Sequence, residues 1–160
     1  MREDRVVTGA EIAQRFEAAN QAAVDTVLGP ARQVWDRPTE AEGWPVAVTA
    51  RHIALGHELM ASWARALRDR TQLTGGYDIH QRNAEVAAEG VVATPEEVAD
   101  LLRSNGRVVA ATLRELDESH LDGEIDFAGR QMPRVMLAEA SVRHVDAHLA
   151  SILRVADAQV

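Results

Sequence analysis

The chain has no cysteine among its 160 residues, and that absence removes several chemistries at once. Disulfides, cysteine-ligated zinc, iron–sulfur clusters and a cysteine nucleophile are excluded, so thiol chemistry here needs a thiol brought in from outside. Aromatic residues are scarce, at 4%. Positive charge is in deficit: a formal charge of −8 and scattered basic residues argue against nucleic acid or an anionic membrane as the main partner, since both reward basic surfaces. No uninterrupted apolar run approaches the roughly 20 residues of a transmembrane helix, and the opening residues 1–7 carry no apolar signal core. Phosphate-cradling glycine loops, a Gly-x-Ser-x-Gly elbow and His-Glu-x-x-His are also missing. The expectation is a soluble cytoplasmic protein.

What is present leans helical, with Ala, Val, Leu, Arg and Glu abundant. The length suits one domain over residues 1–160, large enough for a core without staples. Thr8-Gly-Ala-Glu11 reads as a capping box opening a helix that ends at Gly29-Pro30, with Ile12, Phe16, Ala19, Ala23 and Val27 inward. Trp44-Pro45 opens a second helix, with proline at its first position, running to about Arg70. Its inward stripe is read as Val48, His52, Leu55, Leu59 and Ala66. Gly75-Gly76 breaks the chain, and Asp78 to Ala88 is expected to form a short helix. Thr94-Pro95-Glu96-Glu97 starts a third main helix reaching about Leu116, weakened in the middle by Asn105-Gly106. Residues 119–132 read as an extended crossover. The last helix runs from Pro133 to about Val155, with Val142, Val145, Leu149 and Ile152 inward. Four long amphipathic helices without a convincing strand pair predict an all-α four-helix bundle with one long crossover.

The chemistry concentrates on histidine. His144 and His148 stand four residues apart, so on a helix they project from one face about 6 Å apart at Cβ. Two imidazoles at that separation can share a divalent ion, although such a pair alone is weak evidence. His52 interrupts an apolar stripe, where a core histidine bonded to a carbonyl is the plainer reading. Together the three make a candidate site, because bundles build metal centres from facing helices, and three ligands leave room for water or substrate. Their Nε2 atoms should then converge to within roughly 4 Å of each other. His57 is the rival on the second helix, but five residues from His52 it points about 140° away. His80 and His120 read as surface residues, at a helix start and in a loop. Trp35, Trp44 and Trp63 read as packing residues, with Trp44 the expected wall of any pocket, open at the end beside Trp44 and Gly75-Gly76.

Glu42-Gly-Trp-Pro-Val46, followed by His52 in Ala50-Arg-His-Ile-Ala54, resembles the Glu-Gly-Trp-(Thr/Ser)-Val…Ala-His-Leu-Ala segment of the DinB-like superfamily. Within it, the chain resembles the metal-binding N-terminal domain of mycothiol-dependent maleylpyruvate isomerases. His144-x-x-x-His148 matches the second signature, and Asp78-Ile-His-Gln-Arg-Asn-Ala84 matches the intermediate segment more loosely. The resemblance implies a four-helix bundle in which His52, His144 and His148 hold a divalent ion, commonly zinc or nickel. It also implies transferase or isomerase chemistry with a low-molecular-weight thiol such as mycothiol, bacillithiol or glutathione acting on a small electrophile. Two departures stand out. Pro45 replaces the usual Thr or Ser, and the second domain of the full isomerase is not expected beyond the last helix. Three readings follow: a metal- and thiol-dependent enzyme, a non-catalytic metal-binding bundle acting as a sensor or interaction module, and a purely structural helical homodimer.

Overall fold

A computed structural model describes residues 7–73, 79–90 and 92–158, without the side chains of Ile79 and His80. The breaks expected at Gly75-Gly76, the helix start at Asp78 and the surface placement of the His80 side chain lie outside what is described. The protein is mostly helical. Helix α1 (Gly9–Leu28) is followed by a 3₁₀ turn (Pro30–Val34), α2 (Val46–Asp69) and the short α3 (Ile79–Ala88). Then come α4 (Pro95–Arg114), the one-turn α5 (Glu118–Leu121), strands β1 (Glu124–Phe127) and β2 (Arg130–Pro133), and α6 (Arg134–Asp157).

Local chemistry sets the helix starts. Thr8 and Thr94 each accept from the backbone N–H three residues on while Glu11 and Glu97 reach back, forming two complete capping boxes. Helix α2 lacks such a cap, because Pro45 occupies the cap position itself, one residue before the first helical turn, and offers no hydroxyl. The four long helices pack in a ring: α1 touches α4 and α6, and α2 touches the same two. Phe16, Ile12, Ile53, Leu67, Leu102, Leu113 and Ile152 fill the middle.

Three expectations need correction. The stretch expected as an extended crossover holds α5 and a two-stranded antiparallel hairpin pairing Glu124 with Pro133 and Phe127 with Arg130. Its turn residues Ala128 and Gly129 both have positive φ, 53° and 81°, the backbone a two-residue hairpin turn demands. Ala-Gly is a weak signal for that turn, and Asp126 Oδ1 supports it by accepting from Gly129 N at 2.9 Å. His120 therefore sits on α5, where its Nδ1 accepts from Asp117 N at 3.1 Å, rather than in an open loop. On α2, the deepest stripe is Ala50, Ile53, His57, Ala64 and Leu67, whereas Val48, Leu55 and Leu59 are only half-buried. The stripe through His52 borders a cavity instead of the core.

Asn105-Gly106 also has a packing role. A Cβ at Gly106 would lie 2.3 Å from Asn20 Nδ2, so glycine lets α1 and α4 approach there. Asn20 donates to Leu102 O at 2.9 Å, and its Oδ1 lies 2.7 Å from His57 Nε2.

Candidate metal centre

His52 on α2 and His144 and His148 on α6 are brought together, each offering a ring nitrogen within 4.8 Å of the others. Nε2 of His52 and Nε2 of His144 stand 3.0 Å apart. The envelope is slightly wider than the roughly 4 Å expected. It is close to what zinc needs: ligands at about 2.0–2.1 Å in a tetrahedron stand roughly 3.3–3.4 Å apart.

Two features of the chain seat these rings. Gly56, one turn beyond His52, lies against His144: a Cβ there would fall 2.4 Å from Cε1 of that ring. Glycine inside a helix costs about 1 kcal/mol relative to alanine, and here it opens the space the imidazole occupies. The second feature is Glu42. Its Oε1 accepts from Nδ1 of His148 at 2.8 Å and its Oε2 accepts from Ser151 Oγ at 2.6 Å. With its Nδ1 engaged by Glu42, His148 is left with Nε2 as the nitrogen it can offer a metal.

The loop before α2 places Glu42. Thr39 N donates to Trp44 O at 2.8 Å, Gly43 N to Thr39 O at 2.9 Å and Val46 N to Arg37 O at 2.8 Å, closing a tight loop. Gly43 has a φ of 71°, which glycine adopts without strain. Burial alone would raise the Glu42 pKa, but hydrogen bonds from Ser151, Thr39 and His148 together hold it below the usual carboxylate value.

Electrostatics keep His52 and His144 neutral. Burial, aided by the neighbouring His148, pushes the His52 pKa down to about 4, against a weaker opposing pull from Glu42. Burial also pushes His144 down to about 2, with His52 and His148 adding to the effect. Two rings held neutral beside a third can share a cation far more readily than they can take up protons. The Nδ1 of His144 is buried without a hydrogen-bond partner.

His57 does not join them. It is fully buried, bonded through Nε2 to Asn20 and packed edge-on against Phe16 with ring centroids 5.1 Å apart. Trp44 also departs from expectation. It packs edge-on against His52 at 5.4 Å between centroids but does not wall the cavity on which the histidines open. That cavity, about 380 Å³, is walled by Leu55, Leu59, Met60 and Trp63 of α2, with α3 across from them and α6 alongside.

A helical domain with three converging histidines, two of them one turn apart on its last long helix, is the class these observations define. The family model of the mycothiol maleylpyruvate isomerase N-terminal domain matches residues 13–156, and the chain belongs to that family. No curated protein and no solved structure matches the chain. Among the described residues, no helix is long and apolar enough to cross a membrane.

Glu42 is the site residue that sequence reasoning passed over. It stands in the quoted Glu-Gly-Trp segment, but a loop carboxylate 106 positions from its partner offers no spacing signal.

Proposed function

We propose that the chain is a single DinB-like four-helix-bundle domain that holds one divalent ion, zinc or nickel, through His52, His144 and His148. On this reading it uses the ion for transferase or isomerase chemistry between a low-molecular-weight thiol and a small electrophile. The observation that carries the reading is the convergence of three histidine ring nitrogens within 4.8 Å at the wall of an apolar cavity. A structural site would be closed by a fourth protein ligand, whereas catalytic sites keep a position open.

A divalent ion in that place supplies Lewis acidity, lowering the pKa of a thiol brought against it. The chain's residues supply the rest. Depressed pKa values keep His52 and His144 deprotonated at neutral pH. Glu42 fixes the tautomer of His148, and Gly56 leaves room for His144. Apolar walls exclude water from the nucleophile, and the absence of cysteine leaves the thiol to a cosubstrate.

The test is elemental analysis of protein purified without a histidine tag, followed by a screen of thiols against electrophiles. About one equivalent of zinc or nickel is expected, with turnover that requires both metal and thiol. Metal without turnover would leave the binding-module reading, and no metal under any loading condition would overturn the site.

A further inference from the structure

Among the described residues, two buried imidazole nitrogens lack a hydrogen-bond partner: Nδ1 of His57 and Nδ1 of His144. Stranding one buried polar atom is costly, and two near each other ask for a common explanation. They do lie near each other. Gly56 precedes His57 on α2, and a Cβ at Gly56 would fall 3.1 Å from Nδ1 of His144. His57 is also among the groups that lower the His144 pKa, so the two rings feel each other's charge.

Their hydrogen-bonding roles are complementary. Asn20 Nδ2 donates to Leu102 O at 2.9 Å, which leaves Asn20 Oδ1 as the atom facing His57 Nε2 at 2.7 Å. That oxygen can only accept, so His57 carries its hydrogen on Nε2 and, as a neutral ring, presents a bare lone pair at Nδ1. His144 has the opposite need. When its Nε2 lone pair faces an ion, its hydrogen sits on Nδ1 and requires an acceptor.

We propose that His57 is a positioning residue for His144, acting through one internal water that accepts from His144 Nδ1–H and donates to His57 Nδ1. The direction of those bonds rests on the metal reading above. Internal waters of this kind satisfy buried polar groups that the protein leaves unpaired. A chain of bonds then runs from Leu102 O through Asn20, His57 and the water to the ion-facing ring. The bundle core holds His144 in this way, as Glu42 and Ser151 hold His148. His57 itself does not touch the ion.

Two substitutions separate this role from a purely structural one. The amide nitrogen of His57→Gln sits about where Nε2 stood, so it keeps the bond to Asn20 and loses the acceptor toward His144. The amide oxygen of His57→Asn sits about where Nδ1 stood, so it keeps that acceptor and loses the bond to Asn20. Zinc affinity of the full chain is measured by chelator competition, and stability by urea unfolding of the metal-free protein. His57→Gln should weaken zinc about tenfold, the lower end of the range for partners behind a ligand histidine, with full stoichiometry at saturating zinc. His57→Asn should bind zinc near the wild-type value while unfolding at lower urea. Equal losses of affinity in the two variants, or none in either, overturn the proposal. So does a proton on Nδ1 of His57 in nitrogen-15 spectra of the wild-type rings, a measurement that holds even where a variant does not fold. A wild type that takes up no zinc sinks the metal reading instead. The bridge is then decided on the metal-free protein by Overhauser transfer from a long-lived water to the rings of His57 and His144, whose presence supports it and whose absence overturns it.

Discussion

His144 Nε2 lies 3.0 Å from His52 Nε2 although the two residues are 92 positions apart in sequence. In the ion-free protein that contact is a hydrogen bond, so one Nε2 carries a proton that must shift to Nδ1 before both rings can face an ion. Because both rings are already neutral, metal uptake at neutral pH should release no proton from His52 or His144, measurable in a weakly buffered indicator titration, whereas uptake near pH 4 should release one from His52. His148→Ala and His52→Ala should each lose most of the bound metal. Retention of a full equivalent by either would exclude that residue as a ligand.

Glu42 joins His148 and Ser151 across the gap between the loop and α6, with only 11% of its side chain exposed. Partners of this kind orient a ligand histidine, and losing one costs about 10–100-fold in metal affinity. Glu42→Ala should show a loss of that size in a chelator competition. Glu42→Gln keeps an acceptor for Nδ1 and should lose less.

Gly56 offers a test separating ligand placement from helix stability. Gly56→Ala should favour α2 by up to about 1 kcal/mol through helix propensity, yet its Cβ would fall 2.4 Å from the His144 ring. The expected outcome is metal affinity lowered at least tenfold in protein that remains folded by circular dichroism. Unchanged affinity would mean that the ring can move without consequence.

His57 is expected to matter for folding and not as a ligand to the ion. His57→Ala removes a fully buried ring and strands the Oδ1 of Asn20, a cost on the order of 3 kcal/mol in chemical denaturation. Metal stoichiometry of the folded variant should stay at the wild-type value. Loss of metal at wild-type stability would reverse the assignment.

The same residue sets a pH dependence. Burial lowers the His57 pKa from 6.5 to about 4, so between those values the unfolded chain binds a proton that the folded chain refuses. Stability therefore rises with pH across that window and falls as pH drops from about 6.5 toward 4. The midpoint of urea unfolding in metal-free protein should fall over this range. His57→Gln should flatten the slope, leaving the share due to His52 and His144.

Much of this molecule is written in short-range patterns. The two capping boxes at Thr8 and Thr94, the boundaries of the long helices and the common face of His144 and His148 follow from contacts within four residues, which sequence spacing records directly. The Glu-Gly-Trp segment and the histidine pattern also suffice to place the chain in its family. What depends on distant partners was not legible. The α2 stripe was misjudged because a half-turn of helix separates the core face from the cavity face and both are apolar, so only the neighbouring helices decide which is which. The hairpin escaped notice because Ala128-Gly129 carries little turn signal and its four-residue strands are too short for alternation to register. Glu42, Gly56 and Gly106 have no local signature for their roles, since each is defined by a side chain on another element: His148, His144 and Asn20. Sequence determined which segments would be helices and which residue types could bind an ion. Tertiary packing decided which faces meet and therefore which histidine is a ligand candidate and which is core, because burial and convergence belong to pairs of helices and not to either one alone.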